Sequence, residues 1–301
     1  MSEGVIYINN YYNIHYIMFD LLIIGDLHAK NKHGLNMMLF RNNVKCKYGC
    51  KNDIDNYQYI YCPGEVVDPS KYKDKKFLFG PHFSTFPTNK LSSINNSHNN
   101  SVYIQPSEWV KELWINMNAN KILPIKSFAF PVDMEKFKPL DTVREKVFIY
   151  FKRRQPAELN LIINLLEKKG IEYKIFDYVK RYNEEEYLHY LQQCKYGIIL
   201  DAHESQGFAI EEALSCNVPL LVWNTKYMSQ EVGNNYQNIP CTTIPYWDER
   251  CGYYFYDEHE LEDSFKIFID QLGRYNPREY IQENLSVDVC FKKLVELYEN
   301  I

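Results

Sequence analysis

Residues 147–170 read VFIYFKRRQPAELNLIINLLEKKG, and this stretch decides the fold class. The β-branched and aromatic run at residues 147–151 is typical of a buried strand. Residues 158–169 then carry apolar side chains at the spacing of one helix face, and Gly170 ends that pattern. A strand followed at once by an amphipathic helix is the repeating unit of a parallel α/β sheet, so this half of the chain is predicted to be α/β.

The same alternation continues through the second half of the chain. Further strands are predicted at residues 173–177, 196–200 and 218–223. The remaining helices are predicted at residues 183–191, 208–216 and 260–272, and from residues 276 and 286 onward. This order of elements predicts a doubly wound domain around a parallel sheet.

The first half is less regular. Strands are predicted at residues 17–24, 57–61, 76–79 and 102–105, with a helix beginning after Ser107. Residues 92–101 form a polar, low-complexity loop. Pro124, Pro131 and Pro139 interrupt the next stretch, which is interpreted as the linker between two domains.

Composition excludes several classes of protein. The 301 residues are 46% hydrophobic and 24% charged, so the chain is neither disordered nor fibrous. A net charge of −5 lacks the basic field that nucleic-acid binding usually requires, so no nucleic-acid partner is expected. The eight cysteines are scattered, which is unlike a disulfide framework. Cys46, Cys50 and Cys62 fit no zinc spacing well; reduced thiols are favoured, and a metal site stays open.

The sequence also bears on location and source. No targeting segment is apparent, and the apolar run at residues 16–24 is too short to span a bilayer, so no integral membrane segment and a cytoplasmic location are expected. The 26 tyrosines and abundant Asn, Ile and Lys are typical of an A/T-rich genome, such as that of a large DNA virus. Much of the aromatic content therefore needs no binding site to explain it.

The segment DAHESQGFAIEEALSCNVP at residues 201–219 carries the most chemistry. It follows a predicted strand and opens a helix, which places it at the carboxyl edge of the sheet, where such sheets bind ligands. Gly207 permits a tight turn, and the free amides after it would face an anion. Glu204 and Glu212 lie eight residues apart, and their carboxylates could accept hydrogen bonds from sugar hydroxyls. Ordinary solvated acids at a helix end are the alternative.

This segment resembles the E-x7-E signature of retaining GT-B glycosyltransferases, particularly glycosyltransferase family 4. The stretches VYIQPSEWVK at residues 102–111 and FPVDMEKFKP at residues 130–139 are similar to that family's passage between its domains. The resemblance covers roughly residues 100–301. It implies an α/β, GT-B-like fold of two Rossmann-like domains with parallel sheets and a small N-terminal domain.

The resemblance also implies roles for individual residues. Glu212 would hold the ribose hydroxyls of the donor nucleotide, and Glu204 would contact the donor sugar near the reacting carbon. Gly207 and Phe208 would present backbone amides to the distal phosphate or sugar. A basic pair after the domain's first strand would neutralise the diphosphate. Lys152 and Arg154 are predicted for that pair, with Arg153 pointing away; a solvated basic turn is the alternative.

Related enzymes place a histidine from the N-terminal domain near the reacting carbon. His82 is the first candidate for this catalytic position and His28 the second, although a lone histidine is often structural. Gln206 stands where the family often has an aromatic residue, a change predicted to face the site. No Asp-x-Asp motif follows a suitable strand, so neither a metal nor another cofactor is expected.

Together, these features predict transfer of a sugar from a nucleotide-diphosphate sugar to an acceptor hydroxyl with retention of configuration. The acceptor could be a glycan, lipid or protein. A GT-B-like protein that binds nucleotide or glycan without catalysis is the alternative, and the lack of a Gly-x-Gly-x-x-Gly turn argues against a dehydrogenase. The predicted domains are residues 1–140 (acceptor side), residues 141–275 (nucleotide sugar) and the C-terminal helices at residues 276–301, which would pack back toward the first.

Overall fold

The computed structural model describes residues 20–301 and contains two β-sheets, one in each half of the chain. In the first sheet the strands lie in the order β2-β1-β3-β4-β5-β6, and every neighbouring pair is parallel. Its strands are β1 (Leu21–Ile24), β2 (Cys46–Gly49), β3 (Tyr59–Cys62), β4 (Lys76–Phe79), β5 (Ser101–Gln105) and β6 (Ile125–Ser127).

The second sheet has the order β11-β10-β9-β7-β8 and is also parallel throughout. Its strands are β7 (Lys146–Lys152), β8 (Lys174–Asp177), β9 (Cys194–Asp201), β10 (Leu220–Trp223) and β11 (Gly252–Phe255). Two parallel sheets in one α/β chain confirm the predicted fold class.

Helices cover both faces of the two sheets. The α-helices of the described chain are α1 (Ala29–Arg41), α2 (Asn89–Ser92), α3 (Glu108–Asn116), α4 (Pro156–Lys168), α5 (Glu184–Leu191), α6 (Phe208–Ser215), α7 (Leu261–Asp270), α8 (Pro277–Asn284) and α9 (Val287–Glu299). In the second half, α5, α6 and α8 pack on one face of the sheet, and α4 and α7 pack on the other. Both faces are therefore buried, as a parallel sheet requires.

The last helix returns to the first sheet. Cys290, Leu294 and Tyr298 of α9 are buried in the same apolar cluster as residues of β1 and α1. The Tyr298 hydroxyl donates a hydrogen bond to the carbonyl of Ile60, and Lys76 donates to the carbonyl of Tyr298 at 2.7 Å. One face of the first sheet is thus completed by residues near the other end of the chain.

Five elements were missed by the sequence patterns: α1, α2, β2, β6 and β11. The strand β2 lies at a sheet edge and is largely exposed, so its sequence shows no apolar run. The three-residue β6 lies within the stretch interpreted as a linker, and it extends the first sheet instead. Of the strand predicted at residues 17–24, the structure shows Leu21–Ile24; residues 17–19 lie outside the described residues.

The structure also bears on the cysteines, on possible metal sites and on possible membrane-spanning helices. All eight cysteines are free thiols; Cys46 and Cys50 are exposed, and Cys62 is buried. Within residues 20–301, no cluster of three or more His, Cys, Asp or Glu side chains is arranged to hold a metal ion. Over the same residues, no helix combines the length and apolar character needed to cross a membrane.

Candidate active site

A cleft of about 970 Å³ opens where the carboxyl edges of the two sheets face each other. In each sheet the strand order reverses beside the first strand, at β1/β3 in one and β7/β9 in the other. Such a reversal leaves a crevice above the strand ends, and open α/β sheets bind ligands there. The cleft is lined from both sides, because His28 and His82 follow strands of the first sheet while Lys152 and Glu204 follow strands of the second.

Lys152 and Glu204 form an ion pair at the centre of the second sheet's edge. Lys152 is the last residue of β7, and its ammonium group bonds to Glu204 Oε1 and lies 3.8 Å from the Asp201 carboxylate. The Tyr178 ring lies under the same ammonium group, 4.7 Å away. Burial works to lower the pKa of Lys152, but the two carboxylates outweigh burial and raise it. For Glu204 burial works to raise the pKa, and Lys152 reverses that effect, so both groups are charged at neutral pH.

The loop after Glu204 turns into α6 at Gly207. Gly207 has φ of +91°, in the left-handed region that favours glycine, and it caps the helix. The first amides of a helix have no acceptor within it, so those of Phe208 and Ala209 lie at a positively polarised helix end. Gly207, Phe208 and Ala209 all line the cleft. The geometry suits an anion placed beside Lys152.

One turn further along α6, Glu212 faces the other end of the cleft. It is only 5% exposed, and its Oε1 accepts a hydrogen bond from Lys30 of α1 at 2.6 Å. Lys30 also donates to Glu184 at 3.2 Å. Burial raises the pKa of Glu212 to about 7, although Lys30 acts in the opposite direction. The two acids of the E-x7-E pattern therefore each face a lysine, one from each half of the molecule.

His82 and His28 lie side by side in the cleft. The Nε2 atom of His82 accepts hydrogen bonds from the backbone N–H of His28 at 3.4 Å and the Asn31 amide at 3.3 Å, which leaves the ring proton on Nδ1. Burial, assisted by His28, lowers the pKa of His82 to about 4. His82 is therefore a neutral imidazole at physiological pH. The structure brings both candidate histidines to one place.

The prediction for the basic turn needs a correction: Arg153 lines the cleft, and Arg154 does not. The Arg154 side chain is buried and donates to the carbonyls of Asp201 and Trp223 at 3.2 and 3.0 Å, while Glu158 pairs with it at 2.9 Å. Strand alternation would put residues 152 and 154 on one side. Arg153, however, has φ of +50°, which breaks the alternation and redirects the chain. Arg154 is thus a structural cation.

Gln206 lines the cleft, as predicted, but its side chain is also held by the first half of the chain. Its amide is buried and exchanges two hydrogen bonds with the backbone of Phe130, at 2.7 and 3.1 Å. Glu204, two residues earlier in the loop, is held in a similar way: its carbonyl accepts a 2.8 Å hydrogen bond from the Trp109 indole. Trp109 belongs to α3 and Phe130 follows β6. Hydrogen bonds from the first half of the chain therefore fix the loop that carries Glu204.

The cleft residues that the sequence did not indicate include His203, Glu231 and Trp109, besides Lys30. Arg153 donates to Glu231 at 2.7 Å, and His203 Nδ1 lies 3.2 Å from the other oxygen of the same carboxylate. The His203 ring packs edge-on against Trp109, with 5.6 Å between the ring centres. The position of His203 next to Glu204 was the one usable signal, because Glu231 and Trp109 reach the site only through the tertiary fold.

No protein-family profile matches this sequence, and no curated protein sequence matches it. Several solved structures are similar in fold. Sucrose-phosphate synthase from Thermosynechococcus elongatus is 10% identical, with a TM-score of 0.55 over 93% of this chain and 98% of that one. The apo form of the lipopolysaccharide outer core galactosyltransferase WaaB is 11% identical, with a TM-score of 0.51 over 92% and 98%. The Candida albicans trehalose-6-phosphate phosphatase N-terminal domain is 8% identical, with a TM-score of 0.51 over 93% and 98%. These similarities concern the fold, and they agree with a GT-B arrangement of two Rossmann-like domains.

Proposed function

We propose that this chain is a glycosyltransferase that moves a sugar from a nucleotide-diphosphate sugar to an acceptor hydroxyl with retention of configuration. The observation that carries the proposal is the Lys152–Glu204 pair beside the N-terminus of α6, at the strand reversal of the second sheet. A cation, a carboxylate and free helix amides in one cleft suit a substrate that carries both a phosphate and a hydroxylated ring. The similar structures named as a sucrose-phosphate synthase and a galactosyltransferase share this fold, which supports the same reaction class.

The donor would lie along the edge of the second sheet. Its diphosphate would meet Lys152, Arg153 and the first amides of α6, all of which line the cleft. Glu212, one helical turn away, would accept hydrogen bonds from the ribose hydroxyls. The base would lie near the loop at residues 178–182, where Tyr178 is half-exposed. The cation and amides of the chain supply the positive charge that the diphosphate requires, so the proposal includes no metal or other cofactor.

The transfer step needs little covalent chemistry from the protein. The bond between the anomeric carbon and the diphosphate oxygen breaks, and its electron pair stays on that oxygen. Lys152 and the α6 amides stabilise the new negative charge. The acceptor oxygen bonds to the anomeric carbon on the same face and passes its proton to the departing diphosphate. Glu204 stabilises the positive charge that develops on the sugar ring, and neutral His82 can donate a hydrogen bond from its Nδ1–H to a sugar hydroxyl.

A panel of UDP-, GDP- and ADP-sugars tests the proposal. We expect one nucleotide family to raise the melting temperature selectively, because a ligand that binds only the folded state stabilises it. Incubation of that sugar with glycan, lipid and peptide acceptors should then give a product whose anomeric configuration, read by NMR, matches that of the donor. Stabilisation without transfer or hydrolysis would instead support the non-catalytic binding protein. A flat thermal panel would contradict the donor site itself.

A further inference from the structure

We infer that Lys30 is a positioning residue, which keeps the Glu212 carboxylate ionised and oriented for the donor hydroxyls and so sets the pH range in which the donor binds. This inference rests on the proposed function and deepens it. It assigns a part of the donor site to the first half of the chain, which otherwise faces the acceptor.

The geometry places Lys30 against Glu212 from across the cleft. Lys30 is the second residue of α1, directly after the loop that leaves β1. Its ammonium group lies 2.6 Å from Glu212 Oε1 and 3.2 Å from Glu184 Oε2. Among the described residues, the Glu212 side chain is hydrogen-bonded through Oε1 alone, which leaves Oε2 for a ligand. Lys30 can therefore stay in place while the donor binds.

Electrostatics explain why Glu212 needs this partner. The Glu212 side chain is 7% exposed, and its burial favours the neutral acid, whose pKa is about 7 even with Lys30 present. A neutral carboxyl group accepts hydrogen bonds more weakly than a carboxylate. The titratable groups that interact electrostatically with Glu212 lie on several elements: Lys30 of α1, Lys136 before the second sheet, Tyr182 before α5, Glu184 and Tyr187 of α5, Glu211 of α6, and Cys216 directly after α6.

Lys30 is the dominant cation of that group. Lys136 also lowers the pKa of Glu212, but its effect is smaller than that of Lys30, and it is already paired with Glu185 at 2.6 Å. Glu184 acts in the opposite direction and raises the pKa. Without Lys30, the pKa of Glu212 would therefore rise further, and less than half of the protein would carry the carboxylate at pH 7.

The test compares Lys30→Met with Lys32→Met, a matched control on the same helix. The Lys32 ammonium group lies 4.9 Å from the Tyr48 ring, so this variant also loses a lysine with a partner. Binding of the UDP-, GDP- or ADP-sugar that stabilises the wild type most is measured by calorimetry from about pH 5.5 to about pH 9. The charge of a diphosphodiester is constant over this range, and any proton lost by the base near its upper end affects all variants equally, so the comparison with Lys32→Met reports the contribution of Lys30.

We expect wild type and Lys32→Met to lose affinity as the pH falls through about 7, the pKa of Glu212. In Lys30→Met the loss of donor affinity should begin at a higher pH than in the wild type. This variant should bind the donor about tenfold more weakly at pH 7, and its affinity should recover toward pH 9. Lys30→Arg should restore much of the wild-type profile. A Lys30→Met profile that superimposes on the wild type, or a uniform loss at every pH, would overturn the inference.

A second readout requires no donor. A double-mutant cycle of Lys30→Met and Glu212→Gln, measured by urea unfolding, reports the coupling between the two side chains. The coupling should be favourable at pH 8 and fade below pH 7, because protonation of Glu212 removes its charge. If no nucleotide sugar binds the wild type, the proposed function fails while this cycle still decides the role of Lys30. No coupling at pH 8 would overturn the inference.

Discussion

The two halves of this molecule contribute residues to the same cleft from different kinds of structural element. The second half places Lys152 at the end of β7, Glu204 in the loop after β9 and Glu212 on α6, and the backbone of Glu204 is itself hydrogen-bonded to Thr242. The first half supplies Lys30 and Trp109 from helices that reach across to the partner sheet. The difference teaches that one half carries the charges of the proposed donor site, while the other half determines how those charges are positioned. Variants can test this division.

The largest effect is expected for Glu204→Gln. If the second half carries the chemistry, loss of this negative charge should lower kcat about 100- to 1,000-fold, the usual cost of one electrostatic group in a closed site. The matched control is Glu211→Gln. Glu211 is buried in α6, the helix that follows the Glu204 loop, and burial raises its pKa, so a neutral amide replaces a neutral acid. Transfer assays should show normal turnover for the control; near-normal turnover for Glu204→Gln would remove its catalytic role.

The basic turn gives the next effect, on stability. Arg154→Met should lower the free energy of unfolding by about 3 kcal/mol, because it leaves Glu158 and two buried carbonyls without their cation. Arg153→Met should cost under about 1 kcal/mol, since that side chain is half-exposed. Urea unfolding measures both. If instead Arg154→Met unfolds like the wild type and fails to bind the donor, our structural assignment of Arg154 is wrong.

A smaller effect is expected for the tryptophan that joins the halves. Trp109→Phe removes the indole donor to the Glu204 carbonyl and should lower kcat about tenfold with little change in donor affinity, because the loop loses its anchor. Trp114→Phe is the control: it removes a similar 3.1 Å bond to Thr85, within the first half. The control should lower the melting temperature and leave kcat unchanged. Equal losses of kcat in both variants would show that Trp109 acts only through the stability of the fold.

The smallest effect is a pH dependence from His82. Its folded pKa of about 4 lies below the ordinary value of 6.5, so the unfolded chain binds the extra proton first as the pH falls. The free energy of unfolding should therefore decrease as the pH falls from 6.5 to about 4. In His82→Gln, which has no imidazole to protonate, the decrease over this range should be smaller. Urea midpoints at pH 5 and pH 7.5, compared between the two proteins, measure it. Identical slopes would mean that His82 is not held neutral.

The sequence predicted the second half well because its signals are local. Alternating strands and helices are set by side-chain periodicity, and Gly207 marks the turn that presents Glu204 and Glu212. The edge strands β2 and β6 were missed because short or exposed strands carry no apolar run. The family resemblance led to the prediction that Arg154 lines the cleft, and nothing in the sequence indicates the left-handed backbone of Arg153 that turns Arg154 away.

The contributions of the first half to the site could not be predicted in the same way. Lys30 and Trp109 act on residues 182 and 95 positions away in the chain, so no spacing within a motif connects them. Their partners are defined only when the two sheets face each other. The same reasoning explains Glu231, whose carboxylate joins Arg153 and His203 from a loop after β10.

The return of α9 to the first sheet has a consequence for synthesis of the protein on the ribosome. The face that Cys290, Leu294 and Tyr298 cover belongs to strands that are translated well before α9. That face stays open to solvent until residues 287–299 have left the exit tunnel, so the first sheet cannot finish folding before the second has been made. We therefore expect a nascent chain halted at residue 285 to be held by chaperones, even though nearly all of both sheets and the cleft has already been translated.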